Sequence, residues 1–186
     1  MKKYIVSIVA LGLLSVAQVQ AQGWIDLNTF DGSGQIYLGT GATLMADGTG
    51  TIEVFGGATS SSLSAITAAG VGTTYAVGFG NAGDGNFDAG SGTVTGVGAF
   101  TGGYFQIEVW SGAATYAAAL TTDGAWFGES DIFTSTTGDT AIPPSPQHPG
   151  QLTLDGDIHL TQVPEPATFV LAGLGMAALL AFRRRS

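Results

Sequence analysis

The chain has 186 residues, with 30 glycines, no cysteine and only 10% charged residues, but it carries ten Phe, five Tyr and three Trp. That length suits one domain, and the aromatic content argues against a disordered chain. The five basic residues all lie at the two ends, whereas the fourteen acidic residues all lie between positions 22 and 182. Nucleic-acid binding through phosphates needs Lys or Arg, so this pattern excludes it, and the lack of cysteine excludes disulfides and thiolate metal sites.

Residues 1–21 have the pattern of a secretory signal peptide. Two lysines precede an uncharged apolar run, residues 4–17, which we expect to form the signal helix. A basic start, a short apolar stretch and a small residue at its end are typical of a signal that is removed during export. We expect the Sec translocon to deliver the chain and signal peptidase to cut between Ala21 and Gln22. A cut after Ala17 and a retained membrane anchor are the alternatives.

Five short segments then alternate apolar and polar residues with a period of two, which is typical of half-buried β-strands. They are Trp24–Asn28, Thr51–Val54, Tyr75–Phe79, Tyr104–Trp110 and Asp157–Thr161. The predicted turns between them are rich in Gly and Asp, and they include Asp47-Gly48, Gly83–Asn86, Gly102-Gly103 and Asp155-Gly156. Many short strands joined by Gly turns indicate an all-β domain over residues 22–162. We expect an immunoglobulin-like or jelly-roll-like β-sandwich, with a barrel as the alternative.

Two segments depart from the strand pattern. Residues 113–120 are rich in Ala and predict one short helix, with Gly124 available to end it. Four prolines between positions 143 and 149 predict a stiff exposed loop before the last strand.

A cation site is suggested at Asp84, Asn86 and Asp88. Carboxylate and amide oxygens at alternating positions of a Gly-rich loop can wrap a hard cation such as Ca²⁺. The acidic residue that closes an EF-hand loop is missing here. Asp and Asn in such a loop are also common turn formers, and we expect that role.

Other chemistry is weakly indicated. His148 and His159 lack the neighbouring motifs of a serine hydrolase or a zinc protease, so both are expected to face solvent. Asp123, Glu129 and Asp131 could supply a carboxylate pair for glycoside hydrolysis, but neighbouring acids arise easily in this acidic domain. The three tryptophans are expected to pack in the core or at strand edges rather than to form a sugar-stacking platform.

The chain after Gln162 combines three features in order. Pro164, Glu165 and Pro166 come first, and an uncharged apolar segment, residues 167–182, follows. We predict a membrane-spanning helix there, slightly short for a bilayer core of ~30 Å. Three arginines come last and are expected to stay inside as the stop and orientation signal. They are Arg183, Arg184 and Arg185.

This order of tripeptide, apolar helix and arginine cluster resembles the PEP-CTERM sorting signal of diderm bacteria that make exopolysaccharide. The resemblance covers residues 163–186 and implies that an exosortase, an integral membrane protease of transpeptidase type, recognises Pro164, Glu165 and Pro166. It also implies an inner-membrane intermediate followed by delivery to the cell surface. Residues 92–134 loosely resemble the β-rich ectodomains of other PEP-CTERM proteins, which have no activity to transfer. A plain tail anchor is the alternative.

The sequence therefore predicts an exported, exosortase-processed protein of the cell surface or extracellular matrix, with a β domain that is not an enzyme. A module that binds exopolysaccharide, with Ca²⁺ assisting, is the first alternative, and a secreted hydrolase is the second. Apart from that cation, no cofactor is expected.

Overall fold

The computed structural model describes residues 22–29, 34–139 and 150–165, together with Leu174 and Met176. Within these ranges the chain forms one short helix, α1 (Tyr116–Ala119), and a 3-10 turn at Phe79–Asn81. The strands are β1 (Gln22–Asn28), β2 (Ile36–Leu38), β3 (Thr43–Leu44), β4 (Thr51–Gly57), β5 (Ser64–Ala65), β6 (Thr74–Ala76), β7 (Asp88–Gly98), β8 (Gly102–Ser111), β9 (Trp126–Glu129), β10 (Phe133–Thr136), β11 (Gly150–Gln151) and β12 (Ile158–Gln162).

Several predicted features lie outside the described residues. They are the signal peptide with Ala21, the proline loop with His148, Pro166, and the arginine cluster from Arg183 to Arg185. Of the predicted helix over 167–182, the structure describes Leu174 and Met176, which are helical and more than half exposed. In the part of the chain that is described, no helix has the length and apolar character needed to cross a membrane.

The strands form two mixed sheets. In the smaller sheet, β1 lies between β11, to which it is parallel, and β7, to which it is antiparallel. The larger sheet has the order β3-β2-β12-β9-β8-β4-β5, with β10 joined to β8 and β6 joined to β4. Its pairs are antiparallel except β12 with β2. The parallel pairs join segments far apart in the chain, because parallel neighbours cannot be linked by a tight turn.

Alternating burial places one face of each long strand in a core that both sheets share. Ile25 and Leu27 of β1 are fully buried there, as are Phe105, Ile107 and Val109 of β8. The inward face predicted for Tyr104–Trp110 is therefore confirmed, and so is the mostly β domain with one short helix.

The segment Tyr75–Phe79 was predicted as one strand, and this prediction is wrong beyond Ala76. Gly78 has a φ of 78°, which turns the chain out of the extended conformation. Phe79 then begins the 3-10 turn. Glycine reaches positive φ without steric cost, so it interrupts an alternating pattern that would otherwise continue.

The predicted turn at Gly102-Gly103 is also wrong. Both residues belong to β8, and the chain reverses just before this strand, where Phe100, two residues before Gly102, has a φ of 54°. A Cβ at Gly103 would lie 3.1 Å from the ring of Phe105, so glycine is needed there for packing rather than for a turn.

A second, smaller core lies on the outer face of β8 beneath α1. Trp110, Ala119 and Ala125 are buried in it, and Tyr116 and Phe127 pack edge-on around them. The helix begins after Thr115, whose Oγ1 accepts a hydrogen bond of 3.2 Å from the N–H of Ala118. This cap and the small core explain why a helix of four residues forms at all, since so short a helix is unstable by itself.

The described chain enters and leaves the domain near opposite ends of β8. Gln22 pairs with Gly98, just before the turn into β8. Gln162 pairs with Trp126, and Trp126 pairs with Ser111 at the end of β8. β8 has ten residues, so these two ends lie roughly 30 Å apart at ~3.3 Å per residue. We call the end formed by α1, residues 120–125 and residues 162–165 the C-terminal pole.

Candidate functional site: the exit of the sorting segment

β-pairing continues past β12 to the residue before the Pro-Glu-Pro tripeptide. The N–H of Val163 donates to the carbonyl oxygen of Ala125 at 2.8 Å, and the N–H of Gly124 donates to the carbonyl oxygen of Val163 at 3.1 Å. The side-chain Nε2 of Gln162 also donates to the carbonyl oxygen of Gly124, at 3.2 Å. The domain is therefore joined directly, at the C-terminal pole, to residues 163–186, which resemble a sorting signal and are called the sorting segment below.

The pairing stops at Pro164 because proline has no N–H to donate. Pro164 and Glu165 are both exposed. The carboxylate of Glu165 lies close to the backbone of Gly124, since a Cβ placed on that glycine would be 3.7 Å from Oε1. Gly124, with a φ of 75°, keeps this approach open, and an enzyme could reach the first two residues of the tripeptide from solvent.

The loop that holds Val163 is itself held firmly. Ala119 and Ala125, at its two ends, are buried against Trp110. The hydroxyl groups of Thr121 and Thr122 donate to one carbonyl oxygen at the end of α1, at 3.3 and 2.8 Å. These contacts satisfy helix-terminal groups that would otherwise need water, so the loop presents a defined backbone to the sorting segment.

The three residues of the suggested cation site make separate hydrogen bonds. Oδ1 of Asp84 accepts from the N–H of Asp47 at 2.9 Å, and Oδ1 of Asp88 accepts from the N–H of Gly90 at 3.1 Å. Nδ2 of Asn86 donates to the carbonyl oxygen of Asp84 at 3.0 Å. The contacts of Asn86 and Asp88 are those of turn-forming residues, whereas Asp84 joins its loop to a segment 37 residues earlier in the chain. The Ca²⁺ site stays an untested prediction. Among the described residues, no group of three His, Cys, Asp or Glu is placed to hold a metal ion.

A row of three carboxylates crosses the outer face of the larger sheet, and the sequence did not reveal it. Glu53 of β4 lies opposite Glu108 of β8, and Glu108 lies opposite Glu129 of β9. Burial raises the pKa of Glu53, and burial together with the charges of Glu53 and Glu129 raises the pKa of Glu108. Burial and the charges of Glu129 and Glu108 also raise the pKa of Tyr116 to about 12. The row is a local concentration of negative charge beside α1.

The three acids considered for a carboxylate pair lie in different surroundings. Glu129 belongs to the row of carboxylates, whereas Asp123 lies exposed in the loop after α1. Asp131 lines a shallow depression of about 470 Å³ together with Asp155. The histidine of the described chain, His159, lines a different depression, so the acids and the imidazole are not brought together.

This second depression, of about 340 Å³, lies beside the C-terminal pole and is lined in part by the rings of Trp126 and His159. The ring of His159 stacks on that of Tyr37, with centroids 5.2 Å apart, and its Nδ1 lies 3.0 Å from the carbonyl oxygen of Gly39. The half-exposed ring of Trp126 forms another wall, and Gln162 lies at the rim. His159 is exposed, as predicted. The surface offers ring faces together with hydroxyl and amide groups.

Comparison with known families gives a match at the sorting segment. Residues 162–185 match the family model described as the PEP-CTERM protein-sorting motif. No curated protein and no solved structure matches the chain. The resemblance drawn from the tripeptide, the apolar segment and the arginines is therefore confirmed.

Proposed function

Because this chain carries a PEP-CTERM protein-sorting motif, the mark of an exported protein targeted to an exosortase, we propose that it is a non-catalytic protein of the cell surface or extracellular matrix. The Sec translocon exports it, and signal peptidase cuts between Ala21 and Gln22. The segment 167–182 then holds it in the inner membrane, with the arginines inside. The exosortase recognises the tripeptide, removes the tail and passes the domain to the surface.

The main support for this proposal is the position of the sorting motif relative to the last paired residue of the domain. The matched segment begins at Gln162, and the last backbone pairing of the domain is at Val163. The exposed Pro164 and Glu165 follow at once. A processing enzyme that cuts after Val163 would release a domain whose described hydrogen bonds all remain on one side of the cut.

For the domain itself we propose a β-sandwich of immunoglobulin-like or jelly-roll-like type that serves as a structural module. The shared core of the two sheets supports a sandwich. The separation of the other candidate groups supports a non-catalytic role, because Asp131 and Asp155 line one depression and His159 lines another.

The test of processing is Glu165→Ala. Export should be unchanged, because it depends on the signal peptide. Tail removal should be blocked, because the enzyme loses the charged group that distinguishes this tripeptide from an ordinary proline linker, and the protein should stay in the inner membrane. Asp155→Ala is the matched control, since Asp155 is an exposed acid outside the motif. Mass spectrometry decides the matter: a wild-type surface protein that still ends at Ser186 would show an anchor instead.

Replacing the three arginines with neutral residues should act differently. The tripeptide stays intact, but the inside end of the tail loses the charges that hold it. We expect part of the uncut protein to lose its membrane orientation, which protease accessibility of the C-terminus in spheroplasts would report. The variants are Arg183→Gln, Arg184→Gln and Arg185→Gln combined.

The second candidate function is binding of exopolysaccharide, and the depression at Trp126 and His159 favours it. The described chain has no Lys or Arg, so a neutral glycan fits better than an anionic one. A glycan array of residues 22–162, with and without chelator, tests this function and the assistance by Ca²⁺. His159→Ala should weaken binding, whereas the mutation Phe100→Ala at the far end of β8 should not.

A further inference from the structure

The direct junction at Val163 restricts how any enzyme can reach the tripeptide. A protease that binds an extended substrate contacts residues on both sides of the cut, and each residue spans up to about 3.5 Å. The residue before Pro164 is already hydrogen-bonded to Gly124 and Ala125. An exosortase that grips Pro164 and Glu165 therefore comes within one or two residues of the loop after α1, and it must touch that loop.

The surface around this junction is suited to such a contact. Leu120 is 45% exposed at the end of α1, and Ala114 and Ala117 are exposed beside it. Residues 114–125 contain one charged side chain, that of Asp123. The loop is held by its buried ends and its threonine hydroxyls, so docking on it costs little conformational entropy, and an apolar residue on a rigid surface is a good contact point.

The direction of the chain identifies the partner. The described chain leaves the domain at this pole with Pro164 and Glu165, and the matched motif continues in the sequence with the apolar segment, residues 167–182. The far end of β8, with Phe100 67% exposed, lies roughly 30 Å away, at ~3.3 Å per residue over the ten residues of β8. The C-terminal pole is thus the part of the domain nearest to the first two residues of the tripeptide that the enzyme recognises.

We propose that the C-terminal pole, with Leu120 as its central contact, is the surface on which the exosortase holds this substrate while it cuts the tail. The inference rests on the proposed processing at the tripeptide, and it adds that the enzyme recognises the folded domain as well as the linear motif. Recognition of this kind makes the cut depend on a correctly folded C-terminal pole.

The first test is Leu120→Asp in the full chain, expressed in cells that contain the exosortase. We expect tail removal, followed by pulse labelling and mass spectrometry, to slow by about tenfold, which is the effect of losing one central interface contact. Phe100→Asp is the matched control, because it also exchanges an exposed apolar residue for an acid, and it should be cut at the wild-type rate. Equal melting temperatures of the two purified domains exclude unfolding as the cause.

A second variant separates this inference from the proposed function. A short Gly-Ser linker inserted between Val163 and Pro164 keeps the tripeptide but moves it away from the pole. We expect slower tail removal, with no further loss when Leu120→Asp is added. Normal or faster cutting of the linker variant overturns the inference. If Glu165→Ala blocks cutting while Leu120→Asp does not, the processing proposal stands and the docking surface is refuted; a wild-type chain that keeps its tail refutes both.

Discussion

Removing the central charge of the carboxylate row should stabilise the domain. Glu108 lies directly opposite Glu53 on one side and Glu129 on the other, so it takes part in both like-charge pairs of the row. Glu108→Gln keeps the size and shape of the side chain but ends both repulsions. The same change also removes a partly buried charge, whose burial is the main reason that the pKa of Glu108 is raised.

The size of the stabilisation by Glu108→Gln follows from the two cross-strand pairs that Glu108 forms. A cross-strand pair contributes roughly 0.2–1 kcal/mol, and like charges oppose stability by a similar amount. Two pairs, partly screened by solvent, give about 1 kcal/mol, which corresponds to a rise in melting temperature of about 3–4 °C for a domain of this size.

The stabilisation should depend on pH. A carboxyl group whose folded pKa is raised above its ordinary value of 4.5 binds protons more tightly when folded. The free energy that the Glu108 charge costs the folded state is therefore fully present above the raised folded pKa, and it disappears as pH falls below about 4.5. The wild type should gain stability on acidification from pH 7, and Glu108→Gln should lose that part of the gain.

Thermal unfolding of residues 22–162 by circular dichroism, at pH 7 and again near pH 4.5, measures both effects. Asp155→Asn removes one exposed charge outside the row and is the control for net charge. The reasoning is refuted if Glu108→Gln melts at or below the wild-type temperature at pH 7, or if Asp155→Asn gives an equal rise.

Three further predictions concern packing, capping and the suggested cation site. Gly56→Ala would place a methyl group 2.8 Å from Cδ1 of Ile66 and should cost about 1–3 kcal/mol, whereas Gly102→Ala, with open space around its Cβ, should be nearly neutral in the same denaturant titration. Thr115→Ala removes the cap of α1 and should lower stability by about 1 kcal/mol, whereas serine at this position should retain it. If residues 84–88 form only a turn, excess chelator should leave the melting temperature unchanged; a drop would establish the Ca²⁺ site.

Local patterns in the sequence were enough to predict much of this molecule. Strands β1, β4, β8 and β12 were recognised because the period of two is a property of neighbouring residues, and the helix because its Ala-rich run has high intrinsic propensity. The sorting segment was recognised for the same reason, since the tripeptide, the apolar run and the arginines are read in order along the chain. The wrong turn at Gly102-Gly103 shows the limit, because glycine serves close packing as well as turns.

Pairing between distant segments was decided by the tertiary structure. The row of Glu53, Glu108 and Glu129 depends on the register of three strands, and no local pattern encodes that register. The depression at Trp126 and His159 needs β12 to lie parallel to β2, more than a hundred residues earlier in the chain. The backbone hydrogen bonds between Val163 and the loop after α1 likewise form because β12 pairs with β9. The sorting tripeptide can therefore be identified from the sequence, but the surface beside it is determined by the fold.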